Sequence, residues 1–325
     1  MGQALSPANC SSADSMTILT ALLQGAKLFE EDSIAAPRLT AEVLLSHALN
    51  RDRAYLYAHP EEELTELAWI HYGRYLHQRL QGKPTQYITG RQEFYGRDFR
   101  VTPDVLIPRP ETEHLVEASL ARIRPGDKVL DVGTGSGAIA ISIALETSVR
   151  VYATDISAAA LRISHQNAQQ LHAPVSFVAA DLVSCFPAAT FDLVASNPPY
   201  VPKTGQPALQ REVRDYEPEV ALFGGPSGLE IYERLIPEAQ RVLRPGGWLL
   251  LELGYNSLDP VRGMFGPAWS EITVQADLAG LPRVLAARRR LGTYLWSLSW
   301  VLPSRDRQEA IPRVPLDLCV REALR

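Results

Sequence analysis

Apolar residues recur at helical spacing between residues 15 and 82. Ile18, Leu22, Ala26 and Phe29 form one such series, Leu44, Leu45, Ala48 and Leu49 a second, and Trp69, Tyr72, Leu76 and Leu80 a third. Each series gathers on one helix face that needs a partner face to cover it. The segment therefore predicts a small helical bundle. Pro37 stands where a helix can start, and Pro60 breaks the chain before the last helix. From Gln81 to Pro110 the character changes. Gly82, Pro84, Gly90, Gly96, Pro103, Pro108 and Pro110 punctuate short aromatic and β-branched runs, such as Gln86-Tyr87-Ile88-Thr89 and Asp98-Phe99-Arg100-Val101. This pattern predicts a β-hairpin linker.

From residue 109 to 290 helical and strand patterns alternate. A helix over Glu111–Ile123 precedes a strand at Lys128–Val132. Helices at Ala138–Glu146 and Ala158–Leu171 alternate with strands at Val149–Asp155, Val175–Ala180 and Phe191–Ser196. A helix at Ile231–Leu243 leads to a strand at Trp248–Leu253, and two further strands fall near Ile272 and at Val284–Ala287. Strands that alternate with helices pair in parallel, with both faces of the sheet covered. The expected fold is α/β.

Composition changes this picture little. The chain has 325 residues, 46% hydrophobic and 21% charged, as in an ordinary globular protein of two domains. Its formal charge is −5, without the basic excess of a protein that grips phosphates. The local cluster of Arg283 and Arg288 to Arg290 reads as a solvated strand end. The three cysteines, Cys10, Cys185 and Cys319, are far apart and form no CxxC pair. Neither a thiolate metal site nor a disulfide framework is expected, and a reducing cytoplasm fits. The start of the chain lacks the pattern of a signal peptide, and no apolar stretch is long enough for a membrane span.

The first chemical signal is Asp131-Val132-Gly133-Thr134-Gly135-Ser136-Gly137, between a strand and a helix. Glycines there allow a sharp turn and close approach of a nucleotide-like ligand. Taken alone the loop also suits NAD, with Ala138 in the last place of a dinucleotide fingerprint. Asp155 ends the next strand, where a carboxylate can accept from both hydroxyls of a ribose. Asp181, at the end of the third strand, could accept from an adenine amino group, or it could cap the following helix.

The second signal is Asn197-Pro198-Pro199-Tyr200 at the end of the fourth strand. Two prolines cannot continue a sheet, and they remove two donors while leaving carbonyls as acceptors. The Asn197 side-chain oxygen and the Pro198 carbonyl can accept both hydrogens of one planar NH₂ group, with Tyr200 against its flat face. Held in that way, a poor amide or amino nucleophile is aligned for in-line transfer of a methyl from the sulfonium of S-adenosylmethionine (SAM).

With these residues the chain resembles the HemK/PrmC family, the methyltransferases that modify the N5 atom of a glutamine in class 1 peptide chain release factors. The resemblance includes Pro84-Thr85-Gln86-Tyr87-Ile88-Thr89-Gly90, Glu93-Phe94-Tyr95-Gly96 and Leu106-Ile107-Pro108-Arg109-Pro110-Glu111-Thr112-Glu113. It extends to Glu217-Pro218, Ala221-Leu222, Gly224-Gly225 and the closing Asp277-Leu278-Ala279-Gly280-Leu281-Pro282-Arg283-Val284. It implies a Rossmann-like SAM-dependent methyltransferase sheet at 109–290, joined by the hairpin linker at 83–108 to an N-terminal helical substrate-recognition domain at 15–82. By resemblance, Gly133, Thr134, Gly135, Ser136 and Gly137 contact SAM, Asp155 holds its ribose, and Asp181 and Leu182 border its adenine. Asn197, Pro198, Pro199 and Tyr200 hold the glutamine of the GGQ loop, with Asn197 close to the cofactor as well. Where Leu182 stands the family often has an aromatic residue. The partner implied is a class 1 release factor, met by a cytoplasmic monomer that needs no metal, no membrane and no direct contact with nucleic acid.

Arg109 and Glu111 either lie over the cofactor or form a rigid start to a helix, and Glu217 either lines the pocket or caps a loop. Residues 1–14 are expected to be disordered. The extension at 291–325 has no assigned role, though its apolar half is expected to pack on the catalytic domain. Three other readings compete: an amino-methyltransferase acting on a flipped base of DNA or RNA, a non-catalytic SAM-binding adaptor, and an NAD-dependent oxidoreductase. The first should carry a basic target-recognition region, and the other two leave Asn-Pro-Pro-Tyr without a purpose.

Overall fold

The protein is described here from a computed structural model, which covers residues 16–291. The terminal segments, and the expectations attached to them, lie outside the described residues. The chain forms two compact units. One comprises residues 16–93, 98–107 and 205–219, and the other comprises 94–97, 108–204 and 220–291.

The first unit is helical. Helices α1 (Ile18–Glu31), α2 (Pro37–Leu49), α3 (Arg53–Ala58) and α4 (Glu66–Leu80) follow the apolar periodicity. Side chains cap three of their four N-termini. Thr17, Asp52 and Thr65 accept from the backbone N–H three residues on, satisfying donors that a helix start leaves unpaired. Ile18, Phe29, Leu44, Leu45, Leu56, Tyr72 and Leu76 close the core. Glu42 is buried on α2, with its carboxylate accepting from Arg38, Arg53 and the Tyr57 hydroxyl.

A short helix, α5 (Thr85–Thr89), replaces the extended run expected there. Pro84 supplies a fixed φ just before the first turn, and Gly90 ends the helix in the left-handed region at φ +75°. Proline before and glycine after are helix punctuation, and they outweigh the β-preference of Tyr87 and Ile88. The hairpin itself is β1 (Arg91–Phe94) with β2 (Arg97–Arg100). It turns on Tyr95 and Gly96, both at positive φ, which a tight two-residue hairpin turn demands.

The second unit opens with a 3₁₀ turn at Pro110–Thr112 and α6 (Glu113–Leu120), a shorter helix than the pattern predicts. Then come β3 (Lys128–Val132), α7 (Ala138–Glu146), β4 (Arg150–Asp155), α8 (Ala158–Gln170), β5 (Val175–Ala179), β6 (Phe191–Ser196) and β7 (Val201–Pro202). After α9 (Arg211–Tyr216), which belongs to the helical unit, the chain continues with α10 (Glu219–Leu222), β8 (Phe223–Gly225), α11 (Glu230–Val242), β9 (Leu243–Glu252), α12 (Leu258–Gly263), β10 (Trp269–Ala276) and β11 (Pro282–Arg289). The segment 205–219 had no predicted element. In the helical unit Arg79 pairs with Glu212 of α9 at 2.7 Å, and Tyr216 donates to the Gln81 carbonyl at 3.1 Å.

Seven strands form one sheet in the order β10-β11-β9-β6-β3-β4-β5. Strands β9, β6, β3, β4 and β5 run parallel, and β10 and β11 add an antiparallel edge. The order reverses at β3. The chain runs outward through β4 and β5, then returns to place β6 on the other side of β3. In such a sheet the crevice for a ligand opens beyond the carboxyl ends of the strands that flank the reversal.

Gly25 on α1 shows packing overruling helix propensity. Gly→Ala in a helix interior normally gains about 1 kcal/mol, but a Cβ at Gly25 would lie 2.0 Å from the Tyr72 hydroxyl oxygen. Gly25→Ala should therefore destabilise the protein, by about 1–3 kcal/mol in chemical denaturation. Tyr72→Phe in the same chain should recover part of the loss. A more stable Gly25→Ala variant would show that α1 and α4 can separate at no cost.

Candidate active site

Val132, the last residue of β3, pairs with Thr154 of β4 on one side and Ser196 of β6 on the other. The Ser196 hydroxyl donates to the Val132 carbonyl at 2.7 Å. Three loops therefore leave the sheet side by side: Gly133–Gly137 after β3, the turn after Asp155, and Asn197–Tyr200 after β6.

The glycine loop is tied down by its own backbone. The N–H groups of Gly133 and Thr134 both donate to the Thr154 carbonyl at 2.9 Å. Gly133, Gly135 and Gly137 have φ of +73°, +55° and +86°, where a Cβ is strained. A Cβ at Gly133 or Gly135 would meet nothing within 4 Å, so open space lies beside this backbone. At Gly137 it would lie 2.8 Å from Ile141 Cδ1 and 3.1 Å from Ser164 Cβ. The first two glycines thus leave room for a ligand, and the third allows α7 and α8 to pack. Asn167, buried on α8, donates to the Ser136 carbonyl at 2.8 Å.

Two aspartates organise this loop. Asp155 accepts from Gly135 N–H at 2.9 Å through Oδ2 and from Ser157 N–H at 2.8 Å through Oδ1. Each oxygen keeps a second lone pair for a diol. Burial raises its carboxyl, while the N–H groups of Ser157, Gly135 and Ile156 pull the other way. Asp131, the first residue of the loop motif, is fully buried. Its Oδ2 accepts from the Thr134 hydroxyl at 2.7 Å and the Ala140 N–H at 3.2 Å, and its Oδ1 is buried without a partner.

Asp181 does not end a strand. β5 stops at Ala179, and Asp181 lies exposed two residues on, with Oδ2 accepting from Arg234 at 2.7 Å. Leu182 follows at φ +51°, half-buried against the sheet core.

Around Asn197-Pro198-Pro199-Tyr200, glycines make the packing possible. β7 pairs with β8, and this brings Gly224 and Gly228 against the tetrapeptide. A Cβ at Gly224 would lie 2.4 Å from the Pro199 carbonyl oxygen, and one at Gly228 would lie 2.3 Å from that of Tyr200. Those two carbonyls are covered. The Tyr200 ring lies on Gly254, where a Cβ would come within 2.6 Å of Cδ2. Burial pushes the Tyr200 phenol up to about 12. Asn197 Nδ2 donates to Thr112 Oγ1 at 3.2 Å, and its Oδ1 makes no hydrogen bond to the described residues. Thr112 is buried, and its side chain is among the groups that act on the buried Glu252 at the end of β9. Neither Thr112 nor Glu252 was singled out as a site residue. Thr112 sits in the Pro-Glu-Thr-Glu run, and a glutamate ending an otherwise apolar strand is the signal that could have found Glu252.

The charges of Arg109 and Glu111 act on Glu252 and Tyr200. Glu217, in the helical unit, is buried and accepts from the Ile107 N–H at 3.4 Å, as a loop cap does. The basic cluster is tied internally. Arg283 pairs with Asp277 at 2.9 Å, Arg288 with Glu271 at 2.8 Å, Arg289 with the Leu243 carbonyl, and Arg290 with the Trp269 carbonyl at 3.1 Å. A separate cleft of about 640 Å³ lies in the helical unit, lined in part by Thr85, Gln86 and Thr89 of the Pro84–Gly90 run and by His47 and Arg91. No helix among the described residues is long and apolar enough to cross a membrane.

Comparison with known proteins places this geometry. The PrmC N-terminal domain matches residues 20–90, and the methyltransferase small domain matches residues 111–213. The release factor glutamine methyltransferase of Koribacter versatilis is 48% identical over 279 residues, 84% of this chain and 99% of that protein. Proteins of the same name from Nitratidesulfovibrio vulgaris and Moorella thermoacetica are 40% and 42% identical, over 88% and 85% of this chain and 99% of each relative. The chain belongs to the release factor glutamine methyltransferase family. It is a SAM-dependent methyltransferase with a Rossmann-like sheet. The open space at Gly133 and Gly135 and the spare lone pairs of Asp155 fit a nucleoside with a ribose diol.

In this methyltransferase Asp131 carries a measurable electrostatic cost. Burial pushes its carboxyl up to about 7, against the pull of Thr134 and Ala140. A carboxyl that binds its proton more firmly when folded contributes stability that is fully present below about pH 4. That stability is lost as pH rises through about 7. Asp131→Asn cannot ionise. Its unfolding free energy, measured without SAM, should therefore gain on the wild type by on the order of 3 kcal/mol between pH 4.5 and 8. A constant difference across that range would mean that Asp131 ionises at its ordinary value.

Proposed function

We propose that this chain methylates the side-chain amide nitrogen of the glutamine in the Gly-Gly-Gln loop of class 1 peptide chain release factors. The observation that carries this reading is the pairing of a glycine loop with an Asn-Pro-Pro-Tyr turn across β3 and β6, within a chain that matches release factor glutamine methyltransferases over nearly their whole length. When bound, SAM supplies an electrophilic methyl on a sulfonium that leaves as a neutral thioether. Gly133, Thr134, Gly135, Ser136 and Gly137 line its site, Asp155 accepts from the ribose, and Asp181 and Leu182 border the adenine. Arg234 holds one oxygen of Asp181, so the other oxygen, or the Leu182 side chain, makes that border.

Asn197 Oδ1 and the Pro198 carbonyl hold the substrate. With the Pro199 and Tyr200 carbonyls covered by Gly224 and Gly228, these two acceptors remain. They take both hydrogens of the glutamine NH₂ and orient its lone pair toward the methyl. They also stabilise the positive charge that grows on nitrogen as the bond forms. One N–H proton then leaves to water. The half-buried, uncharged Tyr200 ring walls the amide plane, and Pro199 keeps the turn rigid. No metal takes part.

A release factor is the partner, met by a monomer in the cytoplasm, and the helical unit recognises it. The arginines at 288 to 290 are held by internal acceptors, which favours a protein substrate over nucleic acid.

Incubation with labelled SAM and a release factor should label the intact factor but not one whose loop glutamine is changed to alanine. Equal label on both would exclude that glutamine as the acceptor. Asn197→Ala should keep SAM affinity and lose methyl transfer by about 100-fold or more, as for a lost transition-state hydrogen bond. Asp155→Ala should instead raise the SAM concentration needed for half-maximal rate. Steady-state kinetics with SAM and release factor varied separately would distinguish the two defects, and wild-type turnover in Asn197→Ala would remove that residue from the reaction.

A further inference from the structure

We propose that the cleft of about 640 Å³ in the helical unit is the docking site for an acidic segment of the release factor, whose carboxylates meet Arg51, Arg91 and the buried Ser46 hydroxyl. This rests on the reading of the release factor as the substrate, and it names the surface by which the helical unit holds it.

The cleft is lined by side chains that the helical core leaves over. On α5, Tyr87 and Ile88 are used by the fold. Ile88 joins the helical core, and the Tyr87 hydroxyl donates to the Val105 carbonyl at 2.6 Å. Thr85, Gln86 and Thr89, from the same Pro84–Gly90 run, line the cleft instead. The side chains of Thr85 and Gln86 make no hydrogen bond to the described residues. On α2, Leu39, Val43, Ser46 and His47 recur at helical spacing along one wall. The Ser46 hydroxyl is buried yet has no partner. Folded proteins leave few buried donors unpaired, because each one is costly. An acceptor bound in the cleft would satisfy it.

Charge selects the ligand. Among the lining cations, Arg53 is spent on Glu42 at 2.7 Å. Arg51 lies over the Tyr55 ring at 5.0 Å, and neither Arg51 nor Arg91 has a hydrogen bond or ion pair to the described residues. The lining carboxylates are already engaged. Asp52 accepts from the Tyr55 N–H at 2.8 Å, and Glu93 has a partner within the protein. His47 stays uncharged near neutral pH, because burial, and then the charges of Arg91 and His71, hold its imidazole below the ordinary value. The cleft therefore offers unneutralised guanidinium groups together with neutral donors. An anion that accepts hydrogen bonds complements both. Leu39 and Val43 add an apolar strip to the same wall, with Leu39 44% exposed. A peptide can set an apolar side chain on that strip beside a carboxylate, and a sugar-phosphate backbone offers no such side chain. This favours an acidic peptide segment over RNA.

The test varies release factor at saturating SAM and follows methylation by the full chain, for the wild type, Arg51→Glu, Arg91→Glu and Lys27→Glu. Both arginines are exposed, so their reversal leaves the core intact. Each should raise the KM for release factor about 10-fold. Values of kcat and of the KM for SAM should stay within about twofold of the wild type, the pattern of a lost docking contact. Lys27, on α1 and outside the cleft, is the control, and Lys27→Glu should leave the KM for release factor unchanged. An equal rise in Lys27→Glu would assign the effect to net charge and overturn the cleft. In a second arm, Gln86 is replaced by photo-crosslinking benzoylphenylalanine with both arginines in place. It should capture a segment of the release factor that carries Asp or Glu. Capture of a segment with neither, or no capture during turnover, overturns the proposal. A short oligouridylate that binds the wild type but not Arg91→Glu, with the KM for release factor unmoved, would give the cleft to nucleic acid and overturn it as well. If the wild type labels the factor and both arginine variants keep its KM, the docking site falls and the proposed reaction stands. If the wild type labels no release factor, the reaction itself falls and this occupant with it.

Discussion

Everything at this site depends on Val132 being hydrogen-bonded into β4 on one side and β6 on the other. That double pairing makes β3 the strand at which the sheet order reverses, and it sets the register of the loops beyond it. Because the Thr154 carbonyl receives both Gly133 N–H and Thr134 N–H, the glycine loop is anchored to β4 before it turns toward α7. Because Ser196 Oγ donates to the Val132 carbonyl, β6 is held where Asn197 begins. A slip of one residue would move Leu130, Leu193 and Val194, all buried, to the opposite face of the sheet, where each would meet the wrong packing partners. The distance between cofactor loop and acceptor turn is therefore set by core packing.

Two kinds of site feature were legible in the sequence to different degrees. Glycine and proline act through the backbone, and their consequences are local. Gly133, Gly135 and Gly137 announce a left-handed turn, and Pro198-Pro199 announces the end of a strand. The family resemblance then assigned chemistry to both, and the comparisons bear out the enzyme and its methyl donor. Local reasoning failed where two signals of similar strength competed. In Gln86-Tyr87-Ile88-Thr89 the β-branched and aromatic residues suggest a strand, while Pro84 and Gly90 bracket a helix, and the bracketing prevailed. It also failed for contacts over long sequence separation. Nothing near Thr112 shows that it meets Asn197, 85 positions later, and nothing near Gly224, Gly228 or Gly254 shows that each makes room for the tetrapeptide.

Those glycines show how acceptors are selected in a turn with several carbonyls. Pro198, Pro199 and Tyr200 each contribute a backbone oxygen, and the two prolines have no N–H to pair with one. An unpaired carbonyl next to the substrate would compete for its NH₂ hydrogens. Close approach by Gly224 and Gly228 covers two of the three, and any side chain at either position would push the loop away. Gly254 does the same for the ring of Tyr200. The acceptor turn is shaped from outside by residues that make no bond to the substrate.

Buried carboxyls are expensive, and this unit holds two with an oxygen lacking a partner, Asp131 and Glu252. A neutral residue of similar shape would relieve the burial cost at either position. Asp131 accepts from Thr134 and Ala140 together, and so joins the glycine loop to the first turn of α7. An amide could accept in its place, but it would add an NH₂ needing a partner of its own. At Glu252 burial likewise pushes the carboxyl up to about 7, with the charge of Arg283 pulling the other way. Near neutral pH this carboxyl is therefore held in part as the uncharged acid, the form that costs least to bury.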